Sequence, residues 1–211
     1  MSTVHPAPDL DGLRDVDHAH RHTRAALGDP DTNSLAAVTW AAAHLAAVAK
    51  ELYPVAARLL PEGRERVRRQ VSVDSRLQQA AWRLDRRLTG DVHLARASVA
   101  DLESAVRDAL RAHEAGEQVL VAQLREVLDP AAQRDLGERL AAALLRGPTR
   151  PHPHTGHARY GACAFWFGAT VDRVRDAMDS RDVPTPHRVP VPRRLGRWGA
   201  YLLGVPGPPG K

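Results

Sequence analysis

Hydrophobic residues recur every three or four positions through most of the first 145 residues, which is the spacing of amphipathic helices. Turn sequences that contain glycine or proline end each periodic segment. The pattern predicts four long helices and a shorter fifth, at about residues 11–27, 32–60, 64–88, 99–127 and 131–145. Pro54 lies inside the second helix and is expected to kink it. Long helices joined by short turns favour an all-α fold in which the first four form an up-down-up-down four-helix bundle.

Polar residues on the hydrophobic stripes are the most informative positions, because the centre of the bundle is the only sizeable interior. His20 lies on the stripe of the first helix. On the fourth helix His113 and Glu117 are four residues apart, so both side chains point into the bundle from one face. A buried carboxylate is costly unless it is paired or bound to a metal. His20 and His44, which lies on the second helix, are the obvious partners of Glu117.

This set of side chains has two interpretations. Neutral imidazole is a good ligand for iron, copper, nickel or zinc, a carboxylate suits iron or manganese, and helix bundles hold metal ions in this way. Alternatively, Glu117 pairs with one or two protonated histidines in a metal-free bundle, which would then be an interaction or regulatory protein. The stripe of the third helix passes through Val67, Val71 and Ser75, which places Ser75 on the inner face.

Composition agrees with a helical protein and excludes several classes. The chain has 35 alanines and 24 leucines but nine aromatic residues, which argues against a sandwich, a barrel or a nucleotide-binding sheet. The single cysteine, Cys163, excludes an internal disulfide and a multi-cysteine zinc or iron–sulfur site. The N-terminus has no secretory signal pattern, and no segment has the uninterrupted apolar length of a membrane span. We therefore expect a cytoplasmic protein without an integral membrane segment.

Charge and proline divide the chain into two regions. Residues 1–145 contain 19 Lys/Arg and 21 Asp/Glu, whereas residues 146–211 contain 11 and 4 and ten of the sixteen prolines. The expected organisation is a disordered N-terminus at 1–10, a helical domain at 11–153, and a basic, proline-rich extension at 154–211 with a short amphipathic helix at about 160–180. That helix is expected to dock on the bundle, on a second copy of the chain or on a protein partner. The sparse basic residues form no nucleic-acid motif, so no nucleic-acid partner is expected.

Several segments of the chain also carry the motifs of a known family. They are 44–54 (HLAAVAKELYP), 113–117 (HEAGE), 128–130 (LDP), 136–140 (LGERL) and the exit 148–153 (PTRPHP). Together they resemble the hemerythrin-like domains, also called HHE cation-binding domains, and above all their actinobacterial members. The resemblance covers about residues 11–153. It implies a four-helix bundle around a non-heme di-iron centre that reacts with dioxygen or nitric oxide.

The family pattern has one histidine on the first and third helices and His-x-x-x-Glu on the second and fourth. Matched residue by residue, it implies a metal-ligand set of His20, His44, His113 and Glu117. His18 is the alternative to His20 on the first helix. The resemblance also implies oxygen or nitric oxide binding, or redox sensing, rather than an enzyme activity.

Two positions depart from the family pattern. Val48 stands where the second helix of the family has its glutamate, and Ser75 stands where the third helix has its histidine. Because a second iron would lose a bridging carboxylate and a terminal ligand, we expect an impaired di-iron centre, a single ion completed by Asp74 or water, or no metal at all. Glu51, one turn beyond Val48, would replace the missing glutamate only through a shift in helical register.

Overall fold

The computed structural model of the chain describes Leu13, residues 16–28, residues 34–151 and Asp172. Within these residues the fold is all-α, and no strand is present. The predicted N-terminus at 1–10 lies outside the described residues. So does the extension at 154–211 apart from Asp172, and with it the helix predicted at about 160–180.

Six α-helices lie within the described residues. They are α1 (Val16–Gly28), α2 (Ser34–Ala47), α3 (Tyr53–Leu59), α4 (Gly63–Leu88), α5 (Val99–Val127) and α6 (Pro130–Arg146). A π-helical turn, Val48–Leu52, joins α2 directly to α3, and a 3-10 turn, Val92–Leu94, lies between α4 and α5. The predicted third, fourth and fifth helices therefore agree with α4, α5 and α6 to within one or two residues.

Helices α1, α2, α4 and α5 contact one another in a closed ring. Helix α1 packs on α2 and α5, and helix α4 packs on the same two neighbours. Helix α3 follows α2 through the π-helical turn and packs on α4 and α5, while α6 packs on α2, on the π-helical turn and on α1. The inward faces of the four ring helices therefore share one interior.

Two hydrophobic clusters fill that interior, one on each side of a polar layer. One cluster contains Val16, Leu52 and Leu124, and the other contains Leu27, Leu77 and Leu110. Along α5 the buried face runs from Leu102, Val106 and Leu110 through His113 and Glu117 to Leu120 and Leu124, as the sequence pattern predicts. The polar residues of the stripe thus lie between two apolar layers, which separate them from bulk water.

Helix α2 is buried on most of its circumference, because α1, α4 and α6 pack around it. Its alanines allow these neighbours to approach closely. Among the described residues, Ser34–Leu59 is the one helix long and apolar enough to cross a membrane, yet 61% of its most apolar stretch is buried inside the protein. The apolar character of this helix is therefore used in packing against its neighbours.

The π-helical turn Val48–Leu52 directly precedes Pro54, which the sequence predicts to kink the helix. Proline lacks the N–H for a helical hydrogen bond, and its ring collides with the carbonyl one turn earlier in a regular α-helix. The wider π-helical turn lies where that collision would occur, so the chain passes from α2 into α3 without a break.

The corner between α3 and α4 needs a residue without a side chain. Glu62 has φ 53°, in the left-handed region, and α4 begins at the next residue, Gly63. A Cβ at Gly63 would lie 2.2 Å from the backbone oxygen of Ala56 and 3.0 Å from Ala57 Cα. Only glycine fits at this close approach of two helices.

The exit from α6 is held by a buried carboxylate from the C-terminal region. Asp172 is fully buried and accepts hydrogen bonds from the backbone N–H groups of Thr149 and Arg150, each at 3.1 Å. Thr149 is itself 1% exposed. Residue 172 is therefore fixed against the segment that follows α6.

Candidate metal centre

The polar layer brings together the four side chains that the sequence selects as ligands. His20 comes from α1, His44 from α2, and His113 and Glu117 from successive turns of α5. All four are buried, and one ligand atom from each lies within 4.8 Å of the others. This group could hold one metal ion.

Glu117 Oε2 lies at the centre of the cluster. It is 2.9 Å from His44 Nε2, 3.0 Å from His20 Nε2 and 3.1 Å from His113 Nε2. His44 Nε2 is in turn 2.9 Å from His20 Nε2 and 3.1 Å from His113 Nε2. Ligand atoms around a tetrahedral ion with bonds of about 2.0–2.1 Å lie about 3.3–3.4 Å apart. These contacts therefore have to lengthen by only a few tenths of an ångström to admit an ion.

The second oxygen of Glu117 strengthens this fit. Glu117 Oε1 is buried and has no hydrogen-bond partner among the described residues. Buried polar atoms in folded proteins are almost always paired, because an unpaired one loses its hydration without compensation. A carboxylate can bind a metal ion through both of its oxygens. An ion at this site would therefore give Glu117 Oε1 the partner that it lacks.

Electrostatics divide the cluster into charged and neutral members. Burial raises the pKa of Glu117, but His44 and His113 outweigh burial and hold it well below its ordinary value. Burial lowers the pKa of His113, but Glu117 and Asp74 outweigh it and raise the pKa to about 10. For His44 burial dominates and the pKa is lowered. The metal-free cluster at neutral pH therefore contains a Glu117 carboxylate, a His113 imidazolium and a neutral His44.

Asp74 does not complete the donor set, contrary to one of the sequence-based expectations. Its Oδ1 lies 2.7 Å from His113 Nδ1, the ring nitrogen on the far side from Glu117. Gln70 Nε2 donates to the same oxygen at 3.0 Å, and the Tyr53 hydroxyl donates to Asp74 Oδ2 at 2.6 Å. Asp74 therefore lies in a second polar layer behind His113 and is not one of the four candidate ligands.

Ser75, which the sequence places on the inner face of the third helix, does not lie on that face. Ser75 is half-buried, and its hydroxyl donates to the carbonyl of Val71 at 2.8 Å instead of facing the cluster. The inner face of α4 carries Gln70 and Asp74 before it reaches Leu77. Because the buried face of α4 is polar here, the repeating apolar positions in the sequence indicated the neighbouring half-buried face, which includes Val71 and Ser75.

Three other positions that the sequence singled out, His18, Val48 and Glu51, contribute no ligand atom to the cluster. His18 is exposed and contacts the rings of His22 and Trp40, so it is His20 that enters the cluster from α1. Val48 is fully buried in the same hydrophobic cluster as Leu52. Glu51 pairs with Lys50 and Arg139, so no register shift brings it to the site.

Sequence analysis missed Gln70 and Tyr53. Gln70 precedes Asp74 by four residues on α4, so the helical period would have placed both on one face once Asp74 was recognised as buried. Tyr53 gives no comparable signal, because its contact with Asp74 joins two different helices. It would have been found only from its position in the folded chain.

A small cavity lies beside the cluster between α1 and α5. Its volume is about 50 Å³, and its walls include His20, Glu117, Asp17, Gln118 and Val121. One water molecule needs about 10–15 Å³ of such space. The cavity can therefore hold a few waters or a diatomic molecule next to two of the four donors.

No protein-family model matches the chain, and neither a curated protein nor a solved structure matches it.

Proposed function

We propose that the protein is a hemerythrin-like four-helix bundle of up-down-up-down topology that binds one non-heme iron ion through His20, His44, His113 and Glu117. The observation that carries the proposal is the convergence of three Nε2 atoms on Glu117 Oε2 at 2.9–3.1 Å. Three imidazoles and a carboxylate suit a first-row divalent metal. Iron is preferred within that class because of the resemblance to hemerythrin-like domains.

A single ion is proposed because the surroundings of the cluster do not support a second. The position expected to supply a bridging carboxylate is Val48, which is buried among apolar side chains. The expected terminal ligand, Ser75, binds its own helix. Two adjacent ions need bridging anions to offset their repulsion, and this side of the cluster offers a hydrocarbon surface instead.

Binding or sensing of a small molecule follows from the same geometry. Bound ferrous iron would supply a centre that reacts with dioxygen or nitric oxide, as the family resemblance implies. The chain itself contributes the two apolar layers that exclude bulk water and a cavity of about 50 Å³ beside His20 and Glu117. A space of this size favours a diatomic ligand over the turnover of a larger substrate.

A metal-free role is the second candidate, and the contacts of Glu117 favour it. In the metal-free cluster Oε2 already lies within hydrogen-bond distance of three imidazoles, and a His113 imidazolium balances the Glu117 charge. The cluster would then be a buried ion pair at the centre of an interaction or regulatory protein. Orphaned Glu117 Oε1 is the feature that this alternative leaves unexplained.

Metal content separates the two candidates. Protein produced with iron supplied, and protein titrated with Fe²⁺ without oxygen, should contain about one ion per chain by elemental analysis. His20→Ala should lose the ion, whereas His18→Ala, which changes an exposed histidine of the same helix, should keep it. Well under one ion per chain in the unaltered protein would reject metal binding, and an ion retained by His20→Ala would reject this ligand set.

A further inference from the structure

A second polar layer lies behind His113, on the side of the ring away from the other donors. Asp74 from α4 is fully buried, and its two oxygens are both engaged. Oδ1 is 2.7 Å from His113 Nδ1 and accepts from Gln70 at 3.0 Å, while Oδ2 accepts from the Tyr53 hydroxyl at 2.6 Å. Asp74 is thus held on three sides, by α3, α4 and α5.

The packing between α4 and α5 is shaped to admit this layer. Gly116 lies in the interior of α5, where glycine is less favourable than alanine. A Cβ at this position would lie 2.0 Å from Gln70 Oε1. The glycine therefore leaves the space that the Gln70 carboxamide needs to reach both Asp74 and the backbone carbonyl of His113, to which it donates at 3.1 Å.

The contact between Asp74 and His113 Nδ1 fixes the orientation of the His113 ring. An imidazole that donates Nδ1–H to a carboxylate keeps its Nε2 lone pair for a metal ion, and the carboxylate makes that nitrogen a stronger donor. His113 Nε2 is the atom that faces His44 and Glu117. The charge of Asp74 also lies one ring away from any cation bound there, where burial leaves it poorly screened.

We propose that Asp74, held by Tyr53 and Gln70, is the positioning residue of the metal centre, fixing His113 as an Nε2 ligand and stabilising the more highly charged state of the bound metal. The inference rests on the proposed function, because it needs an ion at the four donors. Helices α3 and α4 supply none of the four ligands, but through Tyr53, Gln70 and Asp74 they would control the metal affinity and the reduction potential of the bound ion.

Asp74→Asn tests the proposal with little change in shape. Loss of a carboxylate behind a histidine ligand typically weakens metal binding about 10–100-fold. We expect a loss of this size in Zn²⁺ and Fe²⁺ titrations, with one ion per chain still bound at saturation. The reduction potential of the iron-loaded protein should rise, because a negative charge near the ion is lost. Tyr53→Phe, which leaves the carboxylate in place, should shift both quantities in the same direction by less.

Asp85→Asn is the matched control, since Asp85 is a buried carboxylate of the same helix outside the cluster. It should leave affinity and potential unchanged. Nitrogen-15 NMR of the Zn²⁺-loaded protein supplies a readout independent of redox chemistry. The Nδ1 proton of His113 should be far downfield in the unaltered protein and in Asp85→Asn, and should move upfield in Asp74→Asn.

The outcomes separate this inference from the proposed function. If the unaltered protein binds one ion and Asp74→Asn binds it as tightly, with the same potential and the same Nδ1 proton shift, the positioning role is wrong and the metal site stands. If the unaltered protein binds neither Zn²⁺ nor Fe²⁺, the proposed function fails and the positioning role fails with it. Thermal melting of each variant shows whether a loss of affinity merely reflects unfolding. If Asp74→Asn does not fold, the affinity and reduction potential of Tyr53→Phe test the positioning role instead.

Discussion

At the scale of single residues, His113 has a carboxylate at each of its ring nitrogens. Asp74 Oδ1 is 2.7 Å from Nδ1, and Glu117 Oε2 is 3.1 Å from Nε2. Although burial lowers the pKa of this imidazole, the two carboxylates outweigh burial and raise the pKa to about 10. At neutral pH the proton on Nε2 therefore occupies the position that a metal ion would take, and proton and metal compete for one atom.

This competition predicts that metal affinity rises with pH. Each bound ion displaces a proton from His113, so the apparent affinity should increase about tenfold per unit between about pH 6 and pH 8. Glu117 adds nothing to the slope, because its lowered pKa keeps it ionised throughout this window. Titrations against a competing chelator at several pH values measure the effect. A flat profile would show that His113 is already neutral.

Gly116 predicts an unusual pair of stability changes. Alanine normally stabilises a helix interior by about 1 kcal/mol relative to glycine. Gly116→Ala should lose this gain, because its Cβ would lie 2.0 Å from Gln70 Oε1 and displace the carboxamide from Asp74. In a Gln70→Ala background the same substitution should stabilise by about 1 kcal/mol. Urea unfolding of the four proteins measures both changes, and equal gains in the two backgrounds would contradict the packing described.

At the scale of helices, the clarity of the apolar period decides what the sequence predicts. On α1 and α5 the buried face is apolar except for the donors, so the pattern located His20, His113 and Glu117 on the inner side. On α4 the buried face includes Gln70 and Asp74, and the pattern therefore selected Ser75, one position too far. Hydrophobic periodicity cannot reveal a face whose burial depends on hydrogen bonds to another helix.

The α3–α4 corner gives a prediction at this scale. Gly63→Ala would place its Cβ 2.2 Å from the backbone oxygen of Ala56, and backbone at a helix junction cannot move as a side chain does. Forced overpacking of this kind costs about 1–3 kcal/mol. We expect a loss of this size in denaturant unfolding. Arg64→Ala, at the next and exposed position, should stay within about 0.5 kcal/mol of the unaltered protein. Equal stability of the two variants would mean that the corner can open.

At the scale of the whole molecule, the four proposed ligands come from three helices that are distant in sequence. The contacts of Glu117 join α5 to α1 and α2, across 97 and 73 residues of chain. The sequence could place His20, His113 and Glu117 on inner faces, but the distances between the four donors depend on how α1, α2 and α5 pack. The same holds for the contact between Tyr53 and Asp74, which requires α3 and α4 to meet.

An ion bound to all three helices should stabilise the whole fold. Free metal at about one hundred times its dissociation constant adds about 2.7 kcal/mol to the free energy of unfolding. We expect a higher melting temperature with Zn²⁺ and a return to the metal-free value with a chelator. His18→Ala should respond in the same way, whereas His20→Ala should not respond. A response in His20→Ala equal to that of the unaltered protein would place the ion elsewhere.

The polar layer also has a consequence for folding cooperativity. It separates the hydrophobic cluster around Leu124 from the one around Leu110, and its side chains join α1, α2 and α5 between the two clusters. Protonation of Glu117 at low pH, or loss of its pairing with His113, weakens that junction without removing an apolar contact. The two ends of the metal-free protein should then open as separate units, with distinct amide-exchange rates on the two halves of α5, and a bound ion should merge them into one.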